Sequence, residues 1–441
     1  MDTPRLRHPA LSSAPFRDFR DVTAYLDSLG MFHTDMSLNR IRRALTELGL
    51  TRPPYVVVQI LGTNGKGSTA AFLASLCAVH DCVTGLYTSP HFVSPLERIR
   101  IDGNTLTEDQ WLEAANVLSA SARHLTYFEW LTALATLLFR QHRVDVAIFE
   151  AGLGGRHDAT TALDADLLCF TPIAVDHADI LGKTLGEIAA DKAGAMRGGA
   201  AALTAEQFPE AEKRLKASAQ RHRIRLEQTR SLTRDMGMPQ DLSVNSPLRL
   251  KLQGPHQLVN AGLALAAWHH LALLLGREAN NRERQRQGLE RAFEPGRLQI
   301  LPGNGRLPDM ILDGAHNPHG MKALTTALSC MGVRPSCAVF SCLADKNWRA
   351  SAALLKRFLG SAPVFIPTLQ NPRAASGTKV NTVWNSALPR TAISAENLAR
   401  ALSALNGVAG ISPERPALLT GSLYLLAEFY ALHPSALVGG K

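Results

Sequence analysis

Long apolar runs are missing from this chain of 441 residues. No stretch is long enough to span a bilayer. The N-terminus, MDTPRLRHPALSSAPFRD, lacks the apolar centre of a secretory leader. The six cysteines, at 77, 82, 169, 330, 337 and 342, show no C-x-x-C spacing, and most sit in apolar contexts such as SLCAV and LLCFT. They read as reduced, buried thiols of a cytoplasmic protein. No basic run interleaves with aromatics, so nucleic acid is a weak explanation for the net charge of +9 and pI near 9.4. A basic solvated surface accounts for it, with no nucleic-acid or membrane partner and a monomeric chain expected. Low-complexity tracts and sequence repeats are also absent. What remains is ordinary globular composition, 46% hydrophobic and 19% charged, at a length that suggests two or three domains.

Short β-branched runs alternate with helical patterns along the chain. YVVVQIL (55–61) ends at a glycine-rich loop, CVTGLYT (82–88) at Ser89, VDVAIFE (144–150) at Gly152, and ADLLCFTPIAV (165–175) at Asp176-His177. A second series follows Pro295-Gly296-Arg297: MILDGAHNP, CAVFSCLADK, APVFIPT and PALLTGSLY. This alternation predicts βαβ units and mostly parallel sheets, so the fold class is α/β. The unusual polar residues fall just past the carboxyl ends of the strands, where such sheets bind ligands. The charged stretch 276–297 reads as a closing helix and hinge. It sets a first domain at 1–297 and a smaller one at 298–441.

The loop after the first strand, GTNGKGST (62–69), misses the common phosphate-loop pattern. Gly65-Lys66 is followed by Gly67, and the hydroxyls arrive at Ser68 and Thr69. Its context is nevertheless strand, loop, helix. Glycines let backbone N–H groups converge on an anion, and the helix N-terminus adds a positive end. Lys66 brings a formal charge, and Ser68 or Thr69 caps the helix or meets a metal. A glycine-rich turn of no function is the competing reading of the loop alone.

The loop resembles the variant phosphate loop of the Mur ligase superfamily, and within it the family of bifunctional dihydrofolate synthase/folylpolyglutamate synthases. MSLNRIRRAL (36–45), TSPHFVSPLERIRI (88–101), LTYFEWLTALA (125–135), EAGLGGRHDAT (150–160), DHADILGKTLGEIAADKAG (176–194), PGRLQI (295–300), DGAHNPHG (313–320), LADK (343–346) and TGSLYLLAE (420–428) all fall in family order. The resemblance covers roughly residues 20 to 430, far more than one motif gives by chance. It implies a Mur-ligase-like architecture, a P-loop-type domain followed by a Rossmann-like one. It also implies an activity: ATP phosphorylates a carboxylate of dihydropteroate or a reduced folate, and the amine of L-glutamate attacks the acyl phosphate.

The resemblance further implies a site. Gly62, Thr63, Asn64, Gly65, Lys66, Gly67, Ser68 and Thr69 would cradle the phosphates of ATP, and Ser89, Glu150 and His177 would hold Mg²⁺. Lys192 would be carbamylated and hold a second metal. Asn260, Arg297, Asp313 and His316 would lie near the nucleotide, with Lys66, Lys192 and His316 the catalytic set. Thr126, Phe128 and Asp158 would meet the pterin. Without the resemblance, Asp176-His177 reads as a strand-end pair, Lys192 as a helix-face lysine, Asn260 as a helix cap and Phe128 as core packing. The chain departs from the family pattern at His157, Thr161, Ala178 and Asn347. These positions bear on substrate selectivity rather than on ATP chemistry. A ligase restricted to one of the two folate steps, a catalytically inactive folate- or nucleotide-binding module, and an unrelated P-loop phosphotransferase are the alternatives. The last does not explain DGAHNP or the second α/β series.

Overall fold

A computed structural model of the chain describes residues 16–30, 37–122, 124–232 and 248–438. The first fifteen residues, read above for a leader, and Met36 of the MSLNRIRRAL motif lie outside the described residues. The chain forms two compact units. One runs to Arg230 and takes in Gly262–Leu289; the other comprises Ser231–Ala261 and the chain from Glu290 onward.

The first unit is built on an eight-stranded sheet. Its strands are β1 (Val56–Leu61), β2 (Thr84–Tyr87), β3 (Ile99–Ile101), β4 (Asn104–Thr105), β5 (Val146–Glu150), β6 (Leu167–Phe170), β7 (Ala201–Thr204) and β8 (Leu226–Gln228), in the order β4-β3-β2-β5-β1-β6-β7-β8. β2 and β5 through β8 run parallel with β1, while β3 and β4 add antiparallel at one edge. Both faces of the central strands are buried, and three helices cover one and the same face. The helix Tyr127–Gln141 is buried almost throughout and packs with Tyr87, Ala147 and Phe149. Ile188 and Ala189 of one helix, with Ala211 and Leu215 of another, pack with Leu168, Phe170 and Ala202. Strands covered on both faces read as the continuous apolar runs seen in the sequence.

The second unit carries a six-stranded sheet of β9 (Gln299–Leu301), β10 (Met310–Asp313), β11 (Cys337–Phe340), β12 (Val364–Pro367), β13 (Ala392–Ala395) and β14 (Ala417–Thr420). Its order is β13-β12-β11-β14-β10-β9, with only β9 antiparallel. Trp348, Leu355, Val380 and Trp384 pack with Ala338, Phe340, Val364 and Ile366. The α/β reading therefore holds for both units. Among the described residues no helix is long and apolar enough to cross a membrane. All six cysteines are free thiols, but Cys330 is exposed, against the expectation of burial. It ends the helix Pro318–Cys330, whose buried residues are Met321, Leu324, Ala327 and Leu328.

Candidate active site

β1 lies between β5 and β6, so the segments leaving all three strands emerge side by side at one sheet edge. The glycine-rich loop is pinned to the β6 exit. Thr63 and Asn64 donate their N–H groups to the Pro172 carbonyl at 3.2 and 3.4 Å. The Thr63 hydroxyl donates to Ala174 O and accepts from Ala174 N, both at 3.0 Å. Gly62 has φ 140°, and a Cβ there would stand 1.9 Å from Thr171 Oγ1. Only glycine lets the loop turn so close to β6. Gly65, at φ 91°, caps the helix Lys66–Val79 with no side-chain acceptor. The first N–H groups of that helix thus have no side-chain cap from this residue, as an anion-binding terminus requires.

Cations gather behind this loop. Lys66 Nζ reaches only the carbonyls of Gly62 and Thr63, both at 3.4 Å. Lys192 sits in the last turn of the helix Leu185–Ala193 and is 4% exposed. Burial and the neighbouring charge of Lys66 push its ammonium down to about 7, only partly offset by Asp191, Asp158 and Asp176. A buried ammonium repelled by a half-buried one suits a site that receives phosphate. Gly155 permits the approach, since a Cβ there would meet the Lys192 backbone at 2.6 Å.

The acidic side is anchored by Glu150 at the end of β5. It is 5% exposed, and its Oε2 accepts the Ser89 N–H at 3.1 Å, tying the β2 and β5 exits together. His177 lies beyond β6 in a left-handed conformation, φ 52°, with its N–H donated to Asp176 Oδ1 at 2.8 Å. Among the described residues there is no group of three or more His, Cys, Asp or Glu side chains able to hold a metal. The Glu150 carboxylate and the Ser89 hydroxyl are oxygen donors of the kind Mg²⁺ takes, and the Glu150–Ser89 bond brings these two residues together.

The residues expected to meet the pterin divide. Phe128 is partly exposed; its ring pairs with Tyr87 at 5.6 Å and covers Gly152, where a Cβ would stand 2.7 Å from the ring. Thr126 caps the helix Tyr127–Gln141: its N–H goes to Glu129 Oε2 at 2.8 Å and its Oγ1 accepts from Glu129 N at 3.4 Å. Arg40 holds Glu129 in turn, at 3.1 Å. Asp158, expected to meet the pterin, caps the short 3-10 turn Ala159–Leu163, accepting from Leu153 N at 2.8 Å, Thr160 N at 3.0 Å and Thr160 Oγ1 at 2.5 Å. Burial still raises its pKa against those bonds. Two further groups went unassigned in the sequence. Arg98, 3% exposed, donates Nε to His91 Nδ1 at 2.8 Å and lies over the Tyr127 ring at 5.4 Å. An arginine inside the apolar run ERIRI was the available signal.

The second unit has its own polar cluster. Asp313 ends β10, and its two oxygens accept Leu298 N and Ala315 N, both at 2.9 Å. Arg297 lies beside it, its Nη1 3.5 Å from where a Gly314 Cβ would sit. Burial raises the Asp313 carboxyl, and the Arg297 charge opposes that shift. His316 Nδ1 donates to Gly314 O at 2.8 Å, which puts the proton of a neutral ring on Nδ1. Asn260 is buried and donates to Gln257 Oε1 at 2.9 Å. His256, also unassigned above, has a buried Nδ1 with no hydrogen-bond partner, and burial near Arg297 and His319 pushes its pKa down to about 4.

Comparison with known proteins agrees with this arrangement. Residues 296–423 match the family described as Mur ligase, glutamate ligase domain. The dihydrofolate synthase/folylpolyglutamate synthase of Escherichia coli (strain K12) is 32% identical over 436 residues, spanning 95% of this chain and 96% of that protein. The chain belongs to the dihydrofolate synthase/folylpolyglutamate synthase family. The family's Bacillus subtilis (strain 168) member is 31% identical over 358 residues, 76% of this chain and 82% of that protein. Among solved structures, E. coli FolC in complex with DHPP and ADP aligns with a TM-score of 0.81 at 30% identity, covering 98% of this chain and 99% of that one. The bifunctional enzyme of Yersinia pestis complexed with AMPPNP and Mn ion aligns at 0.80 and 28% identity, covering 98% and 100%. As a member of this family the chain is an ATP-dependent acid–amino-acid ligase that works with ATP and a divalent metal ion.

Proposed function

We propose that the protein adds L-glutamate to dihydropteroate, giving dihydrofolate, and to reduced folates, giving folylpolyglutamates. The observation that carries the reading is the loop Gly62–Thr69, locked to the β6 exit with Lys66 and Lys192 behind it. A relative solved with DHPP and ADP supports the substrates. Residues 1–297 are assigned to the ATP-binding half and 298–441 to the glutamate-ligase half, in keeping with a family match that starts at residue 296. The protein is placed in the cytoplasm, where free thiols persist.

The chemistry follows from charge. A substrate carboxylate oxygen attacks the γ-phosphorus of ATP, the bond to ADP breaks, and an acyl phosphate forms. The amine of glutamate then attacks the acyl carbon, the C–O bond to phosphate breaks, and the amine loses its proton. Two anions must meet in the first step, so neutralisation dominates the barrier. Lys66 and the N–H groups at the start of its helix hold the transferring phosphate. Ser89, Glu150 and His177 would hold Mg²⁺, which supplies charge neutralisation and orients phosphate oxygens. The neutral amine of Lys192 would add to CO₂ with loss of a proton, and the resulting carbamate would be an anionic ligand for a second metal ion. Arg297, Asp313, His316 and Asn260 are assigned to the nucleotide. The partly exposed face of Phe128 stacks on the pterin, while Thr126 and Asp158 fix the backbone around it. Incubation with ATP, Mg²⁺, glutamate and either dihydropteroate or a reduced folate should yield the glutamylated product and ADP in equal amounts. Failure with dihydropteroate alone leaves folylpolyglutamate synthesis, and failure with both refutes the reading.

A further inference from the structure

A second basic feature lies at the opposite edge of the first sheet. The starts of β1, β6 and β7 open into a cavity of about 680 Å³ lined by Arg42, Thr51, Arg52 and Arg197, with Asp164 and Asp166 beside them. β1 spans six residues, so this mouth lies roughly 20 Å from the nucleotide loop at its other end. The phosphates of a bound ATP cannot reach it.

The three guanidinium groups are short of partners. Asp166 Oδ2 is occupied by the Val57 N–H at 2.8 Å. Asp164 Oδ1 stands 3.7 Å from Arg197 Nε, too far for a hydrogen bond, and its side chain is 62% exposed. Arg197 Nε is buried and has no hydrogen-bond partner among the described residues. Arg42 and Arg52 make no ion pair with any described residue. Arg42 also repels Arg197, which adds to burial in lowering the Arg197 pKa. Arg42 and Arg197 are half-buried while Arg52 is exposed at the rim; two half-buried like charges around one cavity are costly, and a bridging anion removes that cost. The guanidinium fork matches carboxylate and phosphate oxygens pairwise. The volume is in the range of small-molecule sites and exceeds what a single simple ion needs.

We propose that this cavity is a second anion site, which binds a small molecule carrying at least two phosphate or carboxylate groups between Arg42, Arg52 and Arg197. Two sources share that chemistry: a phosphoanhydride, or the γ-linked glutamate tail of the product. The second source rests on the ligase reading; the first does not.

Calorimetry on the full chain decides, with inorganic pyrophosphate and γ-linked triglutamate as separate titrants. At least one should bind saturably, survive Lys66→Ala, and weaken about tenfold or more in R42Q/R197Q as charge-assisted pairs are lost. Without titrant, R42Q/R197Q should melt no lower than the parent, because repulsion is relieved. Which titrant binds identifies the source. Pyrophosphate binding of this kind in a protein without ligase activity would leave the site standing while sinking the ligase reading. No binding at millimolar titrant, binding abolished by Lys66→Ala, or affinity unchanged in R42Q/R197Q would overturn the proposal.

Discussion

Lys66 and Lys192 show how a site stores its purpose in single residues. Lys66 makes two long contacts to its own loop, so little of the fold depends on it. Lys66→Ala should therefore melt near the parent temperature while turnover falls by about 10²-fold or more, the usual loss for one donor aimed at developing charge. Near-parent turnover would remove the loop from the mechanism. Lys192 makes a different prediction. In the fold its proton is held only to about pH 7, whereas a solvated lysine holds it to about 10.5. Between those values the unfolded chain binds more protons, so stability rises with pH through that window and the cost is fully present below it. In CO₂-free buffer, Lys192→Met should melt higher than the parent at pH 6.5, with the gap narrowing toward pH 9. A gap that does not change with pH would mean Lys192 is not titrating there. The phosphate loop was legible in the sequence because its signal is local: glycine, lysine and hydroxyl at fixed spacing after a strand. The neutral tendency of Lys192 was not, because burial and the approach of Lys66 bring together two helices far apart in sequence.

Elements decide what the pterin-side residues can do. The box Thr126-x-x-Glu129 could have been read as a helix cap from its spacing, and the structure uses it so. Asp158 likewise is consumed by three donors within its own loop. Asp158→Ala should lower stability by about 1–3 kcal/mol, since buried donors lose their acceptor. Dihydrofolate synthesis and glutamate addition to reduced folates should then fall together. A selective loss of the dihydropteroate reaction would restore Asp158 as a direct pterin ligand. Eight strands announced themselves as apolar runs: β1, β2, β5, β6, β10, β11, β12 and β14. The rest were hidden by length and place. β4 has two residues and β3, β8 and β9 three each, while β7, ALT after an alanine, carries little β-branched signal. Most of these lie toward sheet edges, where less apolar surface must be buried.

At the scale of the molecule, the proposed chemistry draws on both units. Lys66 belongs to one and His316 to the other. The α/β class of each unit was readable from strand–helix alternation. The grouping of Ser231–Ala261 with the later unit was not, because it depends on contacts far apart in sequence. The central claim is that a carboxylate is activated by phosphorylation before glutamate attacks. Oxygen-18 placed in the carboxylate of dihydropteroate tests it most directly, read by mass spectrometry of the inorganic phosphate released. The account predicts that each phosphate carries one labelled oxygen for every amide formed. Unlabelled phosphate alongside normal product would contradict it.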